Sequence, residues 1–115
     1  MNIKELKRVA TALRRMDPYR FDMGIIAEKS DCGSIGCIGG ITCLINGRGV
    51  DKASLSIARK ILKLTQRQAD NLFHVSRWPD QFSRDGEGQL DPRVYNNPKN
   101  AADRIDHLIT TEGRE

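Results

Sequence analysis

No stretch of this sequence stays apolar for the roughly 18–20 residues that a membrane span requires, so a transmembrane helix is not expected. The opening MNIKELKRVATALRR mixes charge with apolar residues and lacks the basic-then-apolar order of a secretory leader. Metal-ligand spacings are missing too. Cys32, Cys37 and Cys43 fall as C-x4-C-x5-C, with no Cys-x2-Cys pair, and His74 and His107 lie far from them and from each other. That pattern argues against a structural zinc and against any metal or cofactor. Nothing orients either histidine toward a cysteine as a nucleophile and base must be oriented. An odd number of cysteines without a leader suits a reducing, cytoplasmic compartment, where free thiols usually behave as small buried residues. The chain also lacks a nucleophile elbow, a carboxylate pair in a cleft-like pattern and the Lys-Ser/Thr of a phosphate-binding loop. These absences point away from an enzyme.

What is present describes one domain, residues 1–115. Hydrophobic residues make up 38% and charged residues 30%, too apolar for a disordered tail. The net charge is +4, which permits an anionic partner without requiring one. It is unevenly spread: residues 1–20 carry six basic and two acidic side chains, and residues 51–80 carry six and three. A basic helix face of this kind is either a solvated surface or a binding patch.

Apolar periodicity supplies the elements. Ile3, Leu6, Val9, Ala10 and Leu13 recur at helical spacing with Lys4, Lys7, Arg8, Arg14 and Arg15 between them, until Asp17-Pro18 ends the helix. A short extended segment is expected near 21–27. Cys32 to Gly47 carries no charge. Ile35, Ile38, Ile41, Thr42 and Ile45 form one stripe there, and Gly36, Gly39 and Gly40 thin another face. The pattern predicts a buried, glycine-rich central helix from about Ser34 to Ile45, with Ile38 and Ile41 inaccessible. Its glycines require compensation by close approach of another backbone or of a ligand. A third helix follows through Ala53, Ile57, Ala58, Ile61 and Leu62. Thr65 and Gln68 read as a capping box opening a short helix through Phe73. Arg77-Trp78-Pro79 breaks that helix, and residues 78–97 read as one long loop. Asn97 and Pro98 start a last helix, with Ala101, Ile105, Leu108 and Ile109 inward and Gly113 at its end. The expected fold is mainly α: a single compact domain of about five helices.

Two places carry candidate chemistry. If a helix starts near Ser34, capped by Ser34 or Asp31, its first amides present unpaired donors and partial positive charge. Cys32, Gly33, Ser34, Ile35, Gly36 and Cys37 then form a candidate ligand-binding segment, whose glycines let a phosphate approach the backbone. The competing reading makes these glycines packing devices only. Arg77 and Trp78 are the second place, an arginine for a phosphate and a tryptophan for a base. Trp78 equally reads as a core plug at a chain reversal. His107 reads as a surface or satisfied histidine.

The strings RFDM, DCGSIGCIGG, A-x2-I-L-K-L-T-x3-A-x2-L-F-H-x3-W-P and A-A-D-R-I-D-H-L-I, in that order over roughly residues 20–110, resemble a family. It is a widespread group of small uncharacterised proteins of bacteria and tailed phages, sharing a C-G-x3-C-I-x-G core, an L-F…W-P segment and an A-A-x-R-I-x-H-[FL]-I helix. The resemblance implies a small intracellular or phage-encoded helical domain and brings no mechanism. With the candidate segments, it leads us to expect a non-enzymatic binding protein that sequesters an anionic, nucleotide-type small molecule, a sponge for a host immune nucleotide signal, assembled as a homo-oligomer. The alternative is a DNA-binding or protein-inhibitor module, with nucleic acid or a host protein as partner of the basic helices. The stretch ASLSIARKILKLTQRQADNLF superficially suggests a helix-turn-helix, but it lacks the usual turn glycine.

Overall fold

The computed structural model describes residues 1–30 and 33–115. Among them are seven α-helices and one two-stranded sheet: α1 (Ile3–Arg14), β1 (Ala27–Ser30), β2 (Gly33–Gly36), α2 (Ile38–Ile45), α3 (Leu55–Leu62), α4 (Gln66–Phe73), α5 (Asp80–Ser83), α6 (Pro92–Tyr95) and α7 (Pro98–Thr110). No helix is long and apolar enough to cross a membrane among the described residues.

Helix starts follow the polar residues that precede them. The side chains of Asn2, Ser54, Thr65, Asp91 and Asn97 accept first-turn amides of α1, α3, α4, α6 and α7, each satisfying donors that the helix itself leaves unpaired. The Thr65–Gln68 capping box forms in both directions. The α3 end has no glycine: Lys63 takes the left-handed conformation (φ 53°) that glycine usually supplies.

One core joins the helices. Leu6, Val9 and Leu13 of α1, Ile38 and Ile41 of α2, Leu62 of α3, Leu72 of α4 and Ile105 and Leu108 of α7 are all buried. The longest helices, α1 and α7, pack most extensively on each other. Arg14 ties their rims together, 2.8 Å from Asp103 and 2.5 Å from Asp106.

The glycine-rich stretch departs from the expected single helix. Ile38 and Ile41 are inaccessible as expected, but α2 begins at Ile38 and the residues before it are a strand. β2 pairs antiparallel with β1, Gly36 opposite Ala27 and Gly33 opposite Ser30. The Asp22 amide donates to Gly36 O (3.1 Å) on the other edge, and the Cys37 amide donates to Ile25 O (2.8 Å). Partners on both sides satisfy this backbone in extended form, and Gly33 sits at φ 111°, which no helix accepts. The extended segment lies mostly after 21–27: of those residues Ala27 opens β1 opposite Gly36, and Phe21 makes an isolated bridge to the same glycine. The expected 78–97 loop also holds two one-turn helices, α5 and α6. Asn100 of α7 fixes them by donating to Phe82 O (2.7 Å) and Val94 O (2.9 Å).

Candidate functional site

The sequence-derived candidates occupy three different settings. Cys32 lies outside the described residues, as does Asp31. Gly33 is exposed and Ser34 and Ile35 half-buried on β2, with the Arg20 side chain lying across Gly33 and its Nε donating to Ser34 O (3.1 Å). Gly36 and Gly40 are filled by protein: a Cβ at Gly36 would stand 2.7 Å from the Ile26 carbonyl oxygen, and one at Gly40 only 1.5 Å from it. At Gly39 the neighbour is Leu55 Cδ2, at 2.5 Å. The compensation is therefore close approach of the Ile26 backbone at Gly36 and Gly40, and of the Leu55 side chain at Gly39. Cys37 is the residue before α2 and is buried. Burial pushes its thiol pKa up, against the opposing pull of the Gly40 and Gly39 amides. A thiol held protonated in this way is a poor nucleophile.

Trp78 is also buried, and its indole Nε1 donates to Leu72 O at 2.8 Å. It plugs the core at the reversal after α4. Arg77 is exposed in the Val75–Arg77 turn, which packs on α4, whereas β2 packs on β1, α2 and the Pro18–Arg20 turn. The two candidate segments thus rest on different supports.

A third place went unread in the sequence. Residues of α3 and α4, with His74 just after α4, line a pocket of about 200 Å³. Leu55, Ala69 and Phe73 give it apolar walls, and Ser56, Arg59, Gln66, Asp70 and His74 supply polar groups. The α4 members recur at i, i+3, i+4, i+7 and i+8, one continuous face. Arg59 is anchored, its Nε donating to Leu64 O (3.1 Å) at the α3–α4 turn. Among the described residues its terminal nitrogens meet no protein acceptor. Gln66 Nε2 donates to Asp70 Oδ1 (2.8 Å), fixing that carboxylate.

Ser56, His74 and Asp70 are the residue types of a catalytic triad, but their geometry is not that of one. His74 Nε2 and Asp70 Oδ1 stand 4.0 Å apart, beyond hydrogen-bond reach. No Ser56–His74 hydrogen bond forms among the described residues. The lining offers apolar walls, one oriented cation and one oriented acceptor. The only sequence signal for it was Arg59 and Asp70 standing on facing amphipathic helices, where each reads as an ordinary solvated charge. Set against protein-family models, curated proteins and solved structures, the chain matches none of them.

Proposed function

We propose that this protein is a non-enzymatic binder of an anionic, nucleotide-type small molecule, held in the α3–α4 pocket. The observation that carries the reading is Arg59: a guanidinium braced through Nε, its terminal nitrogens meeting no protein acceptor among the described residues, in the lining of a pocket walled in part by Phe73. A braced arginine loses little freedom on binding and meets phosphate or carboxylate oxygens in pairs. The exposed His74 imidazole offers a flat surface to a heterocycle, and Asp70, held by Gln66, accepts from a ring amine or a sugar hydroxyl. About 200 Å³ is below the roughly 300–1,000 Å³ of a drug-sized site. The pocket therefore suits a base or one phosphate group, with the rest of the ligand outside. Sequestration by a phage-encoded sponge is the biological role that this chemistry serves best.

The rival is a macromolecular anion on the basic helices. What favours it is that the Asn2 amide donates to Leu62 O (2.8 Å), joining the start of α1 to the end of α3. The exposed Lys4, Lys7, Lys60 and Lys63 stand on these two helices. Arg8 and Arg14 are already engaged by Glu5, Asp103 and Asp106, which weakens that face. A thermal-shift series with nucleoside mono- and diphosphates, inorganic phosphate and duplex DNA separates the two. A nucleotide at 100 times its Kd stabilises by about 2.7 kcal/mol, with moderate salt sensitivity. Stabilisation by DNA alone, collapsing as salt rises from 50 to 200 mM, would overturn the small-ligand reading.

A further inference from the structure

Among the described residues Arg104 is the largest side chain buried completely, and its Nε and Nη1 meet no hydrogen-bond partner. Nη2 is engaged, donating to Asn71 O (2.9 Å) and to Glu115 Oε1. Such a group is costly, because a guanidinium removed from water needs acceptors for each of its nitrogens. The other oxygen of the same carboxylate, Glu115 Oε2, lies 2.7 Å from His107 Nδ1. The His107 ring is held edge-on to Phe82, centroids 5.4 Å apart. One carboxylate therefore bridges two nitrogen bases of α7, three residues apart on one face.

Glu115 reaches this place because the chain doubles back after α7. Glu112 and Gly113 both adopt left-handed conformations (φ 55° and 76°), the first unusual for a residue with a side chain. The returning segment is lightly held. Gln68 Nε2 donates to Gly113 O at 3.4 Å and Asn71 Nδ2 to Glu115 O at 3.1 Å. Gln68 and Asn71 lie on the face of α4 opposite the Gln66–Asp70 stripe, so this place is distinct from the α3–α4 pocket.

We propose that Arg104 and His107 form an oxyanion site that the chain plugs with its own Glu115, and that a carboxylate- or phosphate-bearing ligand enters by displacing residues 111–115. The resident carboxylate reaches one of three guanidinium nitrogens, and an oxyanion free to seat itself squarely on the fork reaches two. The strained reversal favours release, and the bridge to Arg104 and His107 opposes it.

Glu115→Ala empties the site, and propionate, the detached equivalent of the glutamate side chain, refills it. In thermal melts at fixed ionic strength against sodium chloride, Glu115→Ala melts lower than the parent. Propionate raises its Tm saturably by about 5 °C, the scale of a contribution near 1 kcal/mol in a domain of this size. The parent, which must first release Glu115, responds to propionate only at higher concentration and to a smaller extent, and the Arg104→Met/Glu115→Ala protein responds no more than to chloride. Inorganic phosphate in a parallel arm tells whether the site prefers carboxylate or phosphate. An equal response of parent and Glu115→Ala places the anion elsewhere, and no response of Glu115→Ala makes the contact a plain structural pair; either overturns the proposal. Should Glu115→Ala not fold in chloride, refolding in propionate followed by Trp78 fluorescence decides, since recovery of the buried signal supports the site and continued unfolding refutes it.

Discussion

A methyl group at Gly40 would stand 1.5 Å from the Ile26 carbonyl oxygen, a backbone atom with no rotamer to yield. Gly40→Ala is therefore expected to cost about 3 kcal/mol in urea unfolding, the upper range for overpacking. Gly86 has nothing within 4 Å of the same position and no left-handed φ, so Gly86→Ala should be neutral or stabilise by up to about 1 kcal/mol. Sequence reading recognised that the 36–40 glycines demanded a close neighbour. It did not identify that neighbour, because a backbone carbonyl arriving from Ile26 leaves no trace in composition or periodicity. The buried role of Trp78 was one of two open readings for the same reason. An indole suits a core or a base equally, and the Leu72 carbonyl that receives its proton is defined only by the fold.

Local chemistry was most legible where an element carries its own start signal. Thr65–Gln68 and Asn97–Pro98 specify α4 and α7 without tertiary help, and Thr65→Ala should lower stability by about 1 kcal/mol, read as a shift in urea midpoint at constant m-value. The α3 end was less legible. Lys63 holds a left-handed φ without glycine, and Lys63→Gly should raise stability by about 1 kcal/mol in the same assay. Asp91 caps α6 and binds Arg93 side chain and amide together. These bonds, the side-chain bond foremost, hold its carboxyl below the usual range. A depressed folded pKa means that this stabilisation is complete above about pH 4 and is lost as pH falls through the lower value. Asp91→Asn should thus flatten the acid side of the stability–pH curve while keeping the neutral side lower than the parent. The β1–β2 hairpin escaped sequence reading because an uncharged Ile/Gly run satisfies strand and helix patterns alike. What decided between them was pairing on both edges of Gly36, a long-range fact.

The molecule as a whole is one core under a basic exterior, and its mainly helical character followed from periodicity in α1, α3, α4 and α7. The proposed recognition surface did not. The sequence drew attention to the rarest segment, residues 32–37, and its described part, residues 33–37, is consumed by pairing with β1 and by packing on α2. The α3–α4 pocket is built from common residues that are brought together only by the packing of α3 beside α4. Calorimetric titration of a nucleotide found by thermal shift into the parent, Arg59→Ala and Arg77→Ala proteins tests this assignment most directly. Both arginines are at least partly accessible, so neither change should unfold the protein. We expect Arg59→Ala to weaken binding by about 1.5–3 kcal/mol, the scale of a lost bond to a charged group, and Arg77→Ala to leave affinity unchanged. Loss of binding in Arg77→Ala with full affinity in Arg59→Ala would contradict the account.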